Sequence, residues 1–280
     1  MNLSFNPTAQ DDVNLLHATH LIQDSTEVAS FLKNSGFEIL ELAEVSDAGN
    51  THCYRISLNG GYISFKKRNN SKILEFVDSA LTGFGLGTKD IESTQGRLTL
   101  HGFHPLSIEE RKLLFQVAKE ERREIAYKVF KLKKSDVLEG DVEFIDVSNS
   151  TKSSALSVHK NALSHFHAII LHTNKPEETI ARYCWLTNQS SPRRIFGSSW
   201  KVGLDQQTII VCSEEDVERI VPSVNVSNLP SILGYALLTE SLSKTKDCFS
   251  HNELVLQSLN QGSFLVKLPE FISGNLIIGT

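Results

Sequence analysis

The sequence predicts an α+β protein made of repeated units, each with a strand, a helix and further strands. One stretch runs from His17 to Asp24 and a second from His167 to Asn174, with the same spacing between the two residues. Each is a short apolar run that starts near a His and ends at a helix-capping side chain. Because self-similarity decides architecture before local propensity does, four βαβββ units in two similar halves explain the chain best.

Length and composition indicate a globular protein with a small-molecule rather than a nucleic-acid partner. The 280 residues are enough for two domains, and 40% are apolar and 22% charged. A net charge of −5 argues against nucleic acid or an anionic membrane as the main partner. The basic clusters Lys66-Lys67-Arg68 and Arg111-Lys112 are typical of solvated faces.

The cysteines and the N-terminus indicate a reducing, cytoplasmic setting. Four cysteines are present without Cys-x-x-Cys spacing, so neither a zinc knuckle nor a redox pair is supported. The first residues lack the basic start and apolar stretch of a secretion signal, and no run is long enough to cross a bilayer.

The first unit is the most regular part of the N-terminal half. After a loose tail up to about Asp12, residues 13–23 form a predicted buried strand, and a capping box at 24–27 starts a helix that ends at Gly36. The predicted strands that follow are 37–42, 52–58 and 62–65, the last two joined by a hairpin turn at Asn59-Gly60-Gly61.

The second unit is less regular. A strand is predicted at 83–88 and a helix at 90–100. Ser107 and Glu110 form another capping-box pattern, and apolar residues continue it at helical spacing through Ala118, which predicts a second helix. The half then ends with two predicted strands, 125–130 and 142–147.

The C-terminal half repeats this order. The predicted elements are a strand at 165–173, a helix from 174 with Pro176 in its first turn, a hairpin of 200–204 with 208–212, a short helix from 213 to 222, a strand at 233–239, a helix at 241–251, and strands at 253–259, 263–268 and 275–278. The predicted domains are therefore 12–147 and 163–280, with a polar linker at 148–162.

The order and spacing of these units resemble the vicinal-oxygen-chelate superfamily, in particular its glyoxalase-like domain proteins of the glyoxalase/bleomycin resistance/dioxygenase type. The opening stretch from His17 matches the family's first strand. Residues 60–65 are similar to its Gly-x-Tyr-Leu-Glu-Leu strand, residues 158–162 to its His-Pro-Asn-Gly-Ala stretch, and residues 265–278 to its closing strands. The resemblance covers nearly the whole chain.

The resemblance implies cupped mixed β-sheets with helices outside, each half-enclosing a cavity. It also implies a divalent metal held by His and Glu from facing strands. Such a metal chelates two neighbouring oxygens of a substrate, or binds dioxygen in a two-His-one-carboxylate site.

The sequence departs from that ligand pattern. Ser64 stands where the first half would carry its carboxylate, and Ile278 or Gly279 where the last strand would. Gly83 stands where the second unit would carry its own opening ligand. Only His17 and His167 remain, in different halves, so we expect no carboxylate opposite His17 and no bound metal or other cofactor.

Six residues are candidates for contact with a small-molecule ligand: His17, His52, Tyr62, His159, Asn161 and His167. The alternative for His17 and His167 is a satisfied histidine on a half-buried strand. His20 and His172 differ from them by odd counts, so at most one of each pair faces a cavity.

The sequence thus favours a glyoxalase-like protein that binds a small organic molecule in a β-sheet cavity without the family metal. The first alternative is a metal-dependent lyase, isomerase or dioxygenase with a rebuilt site. The second is a structural role, which predicts a cavity filled by side chains. Whether the chain is an enzyme and whether it forms a homodimer stay open.

Overall fold

The computed structural model describes residues 12–47, 49–67, 80–116, 122–148, 158–222, 229–252, 254–259 and 262–280. The predicted N-terminal tail and most of the predicted linker lie outside these ranges. Within them the chain forms two mixed sheets of eight strands each and five helices, the α+β fold with two similar halves that the sequence predicts.

The first sheet closes into a barrel, which we call the N-terminal barrel. Its strands are β1 (Val13–Ile22), β2 (Leu40–Ser46), β3 (Gly49–Leu58), β4 (Gly61–Lys67), β5 (Ala80–Thr88), β6 (Glu109–Gln116), β7 (Arg122–Lys131) and β8 (Asp141–Asp146). They are arranged in the order β1-β4-β3-β2-β6-β7-β8-β5. Helices α1 (Ser25–Asn34) and α2 (Ile91–Leu100) follow β1 and β5, and Asp24 and Asp90 cap them through their carboxylates.

The second sheet stays open, and we call it the C-terminal cup. Its strands are β9 (Leu163–Thr173), β10 (Arg193–Phe196), β11 (Ser199–Leu204), β12 (Gln207–Ser213), β13 (Ser231–Thr239), β14 (Leu256–Ser258), β15 (Phe264–Lys267) and β16 (Asn275–Gly279), in the order β10-β11-β12-β9-β13-β16-β15-β14. Its helices are α3 (Pro176–Thr187), α4 (Val217–Ile220) and α5 (Leu242–Ser250).

The closed and the open sheet differ in the length of the strands at corresponding edge positions. In the barrel, β2 and β6 have seven and eight residues and pair with each other, which removes both edges. The strands at the corresponding positions of the cup, β10 and β14, have four and three residues and remain edges. Short edge strands limit unwanted pairing with other chains.

The ladder registers show which residues of the two halves correspond. His17 pairs with Tyr62, the second residue of β4, and Ala168 pairs with Thr208, the second residue of β12. Ala168 therefore occupies the position of His17, and the predicted equivalence of His17 with His167 is wrong by one residue.

A bulge explains the error of one residue. The extra residue of the bulge is Leu16 in β1 and His167 in β9. The residue at the helix N-cap is shifted by one position as well. Asp24 caps α1, whereas Lys175, and not Asn174, stands at the N-cap of α3. The equal spacing in the sequence therefore matches His17 with His167, although these residues do not occupy equivalent positions in the two sheets.

The same ladder registers show which residues of β8 and β16 correspond. Gly85, which faces His17, pairs with Glu143 on β8, and Ala236, which faces Ala168, pairs with Ile277 on β16. Ile277 is thus the counterpart of Glu143, and the sequence-based choice of Ile278 or Gly279 for this position is wrong.

The helix predicted from Ser107 onward is wrong. Residues 109–116 form β6, which pairs with β2 on one side and β7 on the other. Its capping-box pattern and helical spacing are local signals, and closure of the barrel overrides them. The other predicted helices are confirmed to within a few residues.

One apolar core joins the two halves, and His20 lies within it. The His20 ring is fully buried, with Nδ1 3.2 Å from the Ile272 carbonyl oxygen and Nε2 3.3 Å from the Tyr235 hydroxyl. Burial lowers the pKa of His20 to about 4, so its neutral form links the two halves.

Candidate functional site in the N-terminal barrel

A cluster of polar side chains occupies the interior of the N-terminal barrel, because alternate residues of each strand point inward. The members of this barrel cluster are His17, Glu44, Arg55, Tyr62, Lys66, Arg111, Tyr127 and Glu143. An eight-stranded barrel has an interior that side chains fill or that holds one small ligand.

His17 faces a carboxylate that the sequence analysis did not expect. Its Nε2 lies 3.2 Å from Oε1 of Glu143, and its ring stacks on Tyr62 with 4.7 Å between the centroids. The expectation that no carboxylate lies opposite His17 is therefore wrong. Glu143 comes from the last strand of the second unit, the unit whose predicted elements were least regular.

Gly85 provides the space for the His17 ring. A Cβ atom at Gly85 would lie 2.0 Å from Cε1 and 2.2 Å from Nδ1 of His17. The ring is thus enclosed between the β5 backbone and Tyr62, and His17 is only 1% exposed.

Two internal cations neutralise the two buried carboxylates. Nη1 of Arg111 donates to Oε1 of Glu44 at 2.9 Å and to Oε2 of Glu143 at 3.2 Å. Glu44 also accepts from Nζ of Lys66 at 2.7 Å and from the Tyr127 hydroxyl at 2.9 Å. A buried charge network of this kind is stable only if its members are paired and hydrogen-bonded.

The charge states follow from these contacts. Burial alone would raise the pKa of Glu143, but Lys66, His17 and Arg111 outweigh it and hold that pKa well below its ordinary value. Burial lowers the pKa of His17 in spite of Glu143. Near neutral pH, His17 is therefore neutral and donates through Nε2 to an ionised Glu143, while its buried Nδ1 has no hydrogen-bond partner among the described residues.

Arg55 is the cation of the cluster that has no carboxylate. Its guanidinium carbon lies 3.7 Å from the centre of the Tyr62 ring, a cation–π contact. Among the residues that the structure describes, its buried Nε has no hydrogen-bond partner and its guanidinium no ion-pair partner.

The barrel cluster does not fit the metal that the resemblance implies. Among the described residues, no three His, Cys, Asp or Glu side chains come together as a ligand set. Glu143 and Glu44 already bind Arg111, and Glu44 also binds Lys66. A divalent ion at His17 would need further protein ligands and would compete with these cations.

The structure brings two of the six candidate residues, His17 and Tyr62, into the cluster. His52 lies on the outer face of β3, where its Nε2 is 2.8 Å from Oε1 of the exposed Glu41, so it does not converge with His17 and Tyr62. His167 is the bulge residue of β9, with Nδ1 3.2 Å from the Gln206 carbonyl oxygen.

His159 and Asn161 lie between the halves and are engaged in structural hydrogen bonds. His159 Nδ1 accepts from the Glu38 amide at 3.0 Å, and its Nε2 donates to the Ser57 carbonyl at 2.9 Å. The buried Asn161 side chain donates to the Ser35 carbonyl at 2.9 Å.

Most of the cluster was not found from the sequence. Lys66 and Arg111 belong to basic runs that predict solvated faces, yet their side chains are only 18% and 7% exposed. The signal that could have identified them is the alternation of inward and outward side chains along a strand. Each of the two is followed by an exposed lysine, so within each pair one side chain points in and the next points out.

Comparisons with known proteins address the fold. No protein-family model and no curated protein matches the chain. A hypothetical protein from Staphylococcus aureus has a similar structure, with a TM-score of 0.64 and 9% identity, over 95% of this chain and 99% of that one.

Two further similar structures carry functional names. A variant of 4-hydroxymandelate synthase from Streptomyces coelicolor has a TM-score of 0.58 at 9% identity, over 98% of this chain and 92% of that one. The Mn(II)-bound glyoxalase from Novosphingobium aromaticivorans has a TM-score of 0.60 at 8% identity, over 95% and 81%. Identities this low speak for the fold alone.

No helix in the described part of the chain is both long and apolar enough to span a membrane. The two eight-stranded sheets agree with the resemblance found in the sequence. The chain has the same fold as the 4-hydroxymandelate synthase and glyoxalase structures.

Proposed function

We propose that the protein binds a small organic anion in the N-terminal barrel without a metal ion. The proposal keeps the small-molecule role predicted from the sequence and adds the charge of the ligand. The observation that carries it is Arg55, a half-buried cation of the barrel cluster without a carboxylate partner among the described residues.

The charges around Arg55 support an anionic ligand. Lys66 and Arg111 are matched by Glu44 and Glu143, so Arg55 leaves the innermost group with one positive charge in excess. Glu109 also binds Arg111, but it lies at the barrel end, with its side chain 38% exposed.

The guanidinium of Arg55 has the geometry that such a ligand needs. A guanidinium is always charged and presents a fork of donors that matches a carboxylate or phosphate in two hydrogen bonds. Tyr62 holds it from one side. An aromatic carboxylate would place its charge on this fork and its apolar part against the barrel wall.

The test compares benzoate with its uncharged isostere benzamide in a thermal-shift titration. Wild-type protein is expected to be stabilised by benzoate and not by benzamide, because a ligand bound to the folded state raises the melting temperature by mass action. Arg55→Gln is expected to abolish the difference, and Arg193→Gln, at an exposed position on β10, is the matched control. Equal stabilisation by both compounds would contradict the proposal.

The alternative is a metal-dependent lyase, isomerase or dioxygenase. Metal analysis of the purified protein separates the two functions. A stoichiometric ion that is lost in His17→Ala would favour the enzyme and exclude the metal-free site.

A further inference from the structure

The C-terminal cup has an open edge at β10, where the N-terminal barrel has a paired one. In the strand order of the two sheets, β10 takes the position of β2, and β2 pairs on its outer side with the antiparallel strand β6. The counterpart of β6 is β14, which lies at the opposite end of the cup, so no strand of the described chain covers β10. The outer edge of β10 therefore presents backbone donors and acceptors that have no ladder partners.

The hairpin of β10 and β11 is held in place by a buried aspartate. Oδ2 of Asp216 accepts a hydrogen bond from the Ser198 amide at 2.7 Å and another from the Ser199 hydroxyl at 3.0 Å. Gly197, in the turn, has a φ of 49° and leaves no room for a Cβ atom beside the Asp216 carboxylate. The edge is thus ordered before a partner arrives, which lowers the entropic cost of binding.

This edge is positively charged. Arg193, Arg194 and Ile195 are three exposed residues in succession, and Lys201, the register partner of Arg193 on β11, is exposed as well. None of the three cations forms an ion pair with a residue that the structure describes. The whole chain carries a net charge of −5, so the positive edge is a local feature. Its charge suits an acidic partner and repels the same edge of a second copy.

The two faces of the hairpin present different surfaces. Arg193 and Lys201 are paired in register and project from one face. Arg194 and Trp200 are the next pair and project from the other face, where the guanidinium carbon of Arg194 lies 5.8 Å from the centre of the Trp200 ring. A strand added alongside would meet two cations on the first face and a largely apolar surface on the second. Acidic residues that alternate with apolar ones match this pattern.

We propose that β10 binds an extended, acidic segment of another protein, which adds to the cup as an antiparallel strand in the way that β6 adds to β2. Backbone hydrogen bonds align the segment, and its acidic side chains pair with Arg193 and Lys201. Because β10 has only four residues, backbone pairing alone is weak and the charges are needed for binding. The surface lies in the other half from the barrel cluster and does not depend on the anion site.

The position of the acidic residues in the partner follows from the charges at the two ends of the hairpin. Glu214 and Glu215 come directly after β12, which runs antiparallel to β11, and so lie at the end where β10 turns into β11. They would repel an acidic residue there. The acidic residues of the partner are therefore expected at the other end, opposite Arg193.

The probe is a labelled, capped peptide of alternating glutamate and valine, titrated into the full-length protein and followed by fluorescence anisotropy. One comparison peptide has glutamine in place of glutamate, and a second has proline in place of the central valine. Wild-type protein is expected to bind the glutamate peptide about fivefold more tightly than the glutamine peptide, the size of two exposed ion pairs. The proline peptide is expected to bind more weakly because proline cannot donate to a ladder.

Two variants with the same change of net charge test the location. Arg193→Glu is expected to remove the preference for the glutamate peptide over the glutamine peptide. Lys33→Glu, at an exposed position on α1, is the matched control and should keep it.

An amide NMR titration of the wild-type protein needs no variant. The glutamate peptide should shift amides of β10 and β11, whether or not Arg193→Glu folds. The proposal is overturned if the glutamate peptide does not bind, if the glutamine or the proline peptide binds equally well, or if the preference survives in Arg193→Glu. Tighter binding of a single-stranded oligothymidylate than of the glutamate peptide would also overturn it, in favour of a nucleic-acid surface.

Discussion

The barrel and the cup share one topology but have opposite interiors. Where the barrel has His17, Gly85 and Glu143, the cup has Ala168, Ala236 and Ile277. The barrel is closed and holds a buried charge network, whereas the cup is open at two short edges and lined by apolar side chains. A duplicated scaffold thus fixes the positions of its interior residues, and the residue types at those positions determine whether the interior of each half is charged or apolar.

The largest expected effect comes from giving the barrel the residue of the cup. Glu143→Ile removes a carboxylate that pairs with Arg111. Because the buried guanidinium then loses this partner, the free energy of unfolding should fall by about 3–5 kcal/mol. Urea denaturation measures it, with Glu41→Ile at an exposed site as control, expected within about 0.5 kcal/mol of wild type. A loss below about 1 kcal/mol would show that the network contributes little.

Acid should weaken the link between the halves through protonation of His20. Because the pKa of His20 is lowered to about 4 in the folded protein, its contribution is complete above the unfolded value of 6.5 and is lost as the pH falls towards 4. The loss approaches about 3 kcal/mol.

The stability curve from pH 7 to pH 4 tests this, with His20→Phe as the comparison. The wild-type curve should fall more steeply below pH 6.5 than the variant curve, because the variant keeps the other histidines whose pKa burial lowers, among them His17, but lacks His20. Parallel curves for the two proteins would contradict the role of His20.

The pairing of Gly85 with His17 has a smaller expected effect. Gly85→Ala places a Cβ atom in the His17 ring and should cost about 1–3 kcal/mol. Adding His17→Ala reproduces the Ala168–Ala236 pair of the cup and should recover at least about 1 kcal/mol relative to the sum of the single changes. Gly96→Ala, on α2 with open space around it, is the control and should not destabilise.

The smallest effect is expected at the residue that the sequence equated with His17. His167→Ala removes one half-exposed hydrogen bond and should change the free energy of unfolding by no more than about 0.5 kcal/mol. A cost equal to that of His17→Ala in the same denaturation experiment would restore the equivalence of the two histidines.

The fold was largely predictable, because strand alternation, helix caps and hairpin turns are local signals that repeat in both halves. The family resemblance predicts the order of the βαβββ units correctly. The hairpin at Asn59-Gly60-Gly61 joins β3 and β4, as the sequence predicts. β6 was not predictable, because its local pattern is helical and only pairing with β2 and β7 makes it a strand.

The site was predictable only in part, because its members come from seven strands. His17 and Tyr62 were found, but Glu143 is brought to His17 through the neighbouring β5, a long-range contact that no spacing reveals. The bulge at His167 shifted the apparent match between the halves by one residue, which is enough to exchange the two faces of a strand.

The most direct test of the difference between the two interiors is an amide NMR titration of the wild-type protein with benzoate. Benzoate is expected to shift amides of β3 and β4 around Arg55 and to leave those of β9 and β12 around Ala168 and Thr208 unchanged. Shifts in β9 and β12, or none in β3 and β4, would contradict the claim that the charged interior of the barrel, and not the apolar interior of the cup, binds an organic anion.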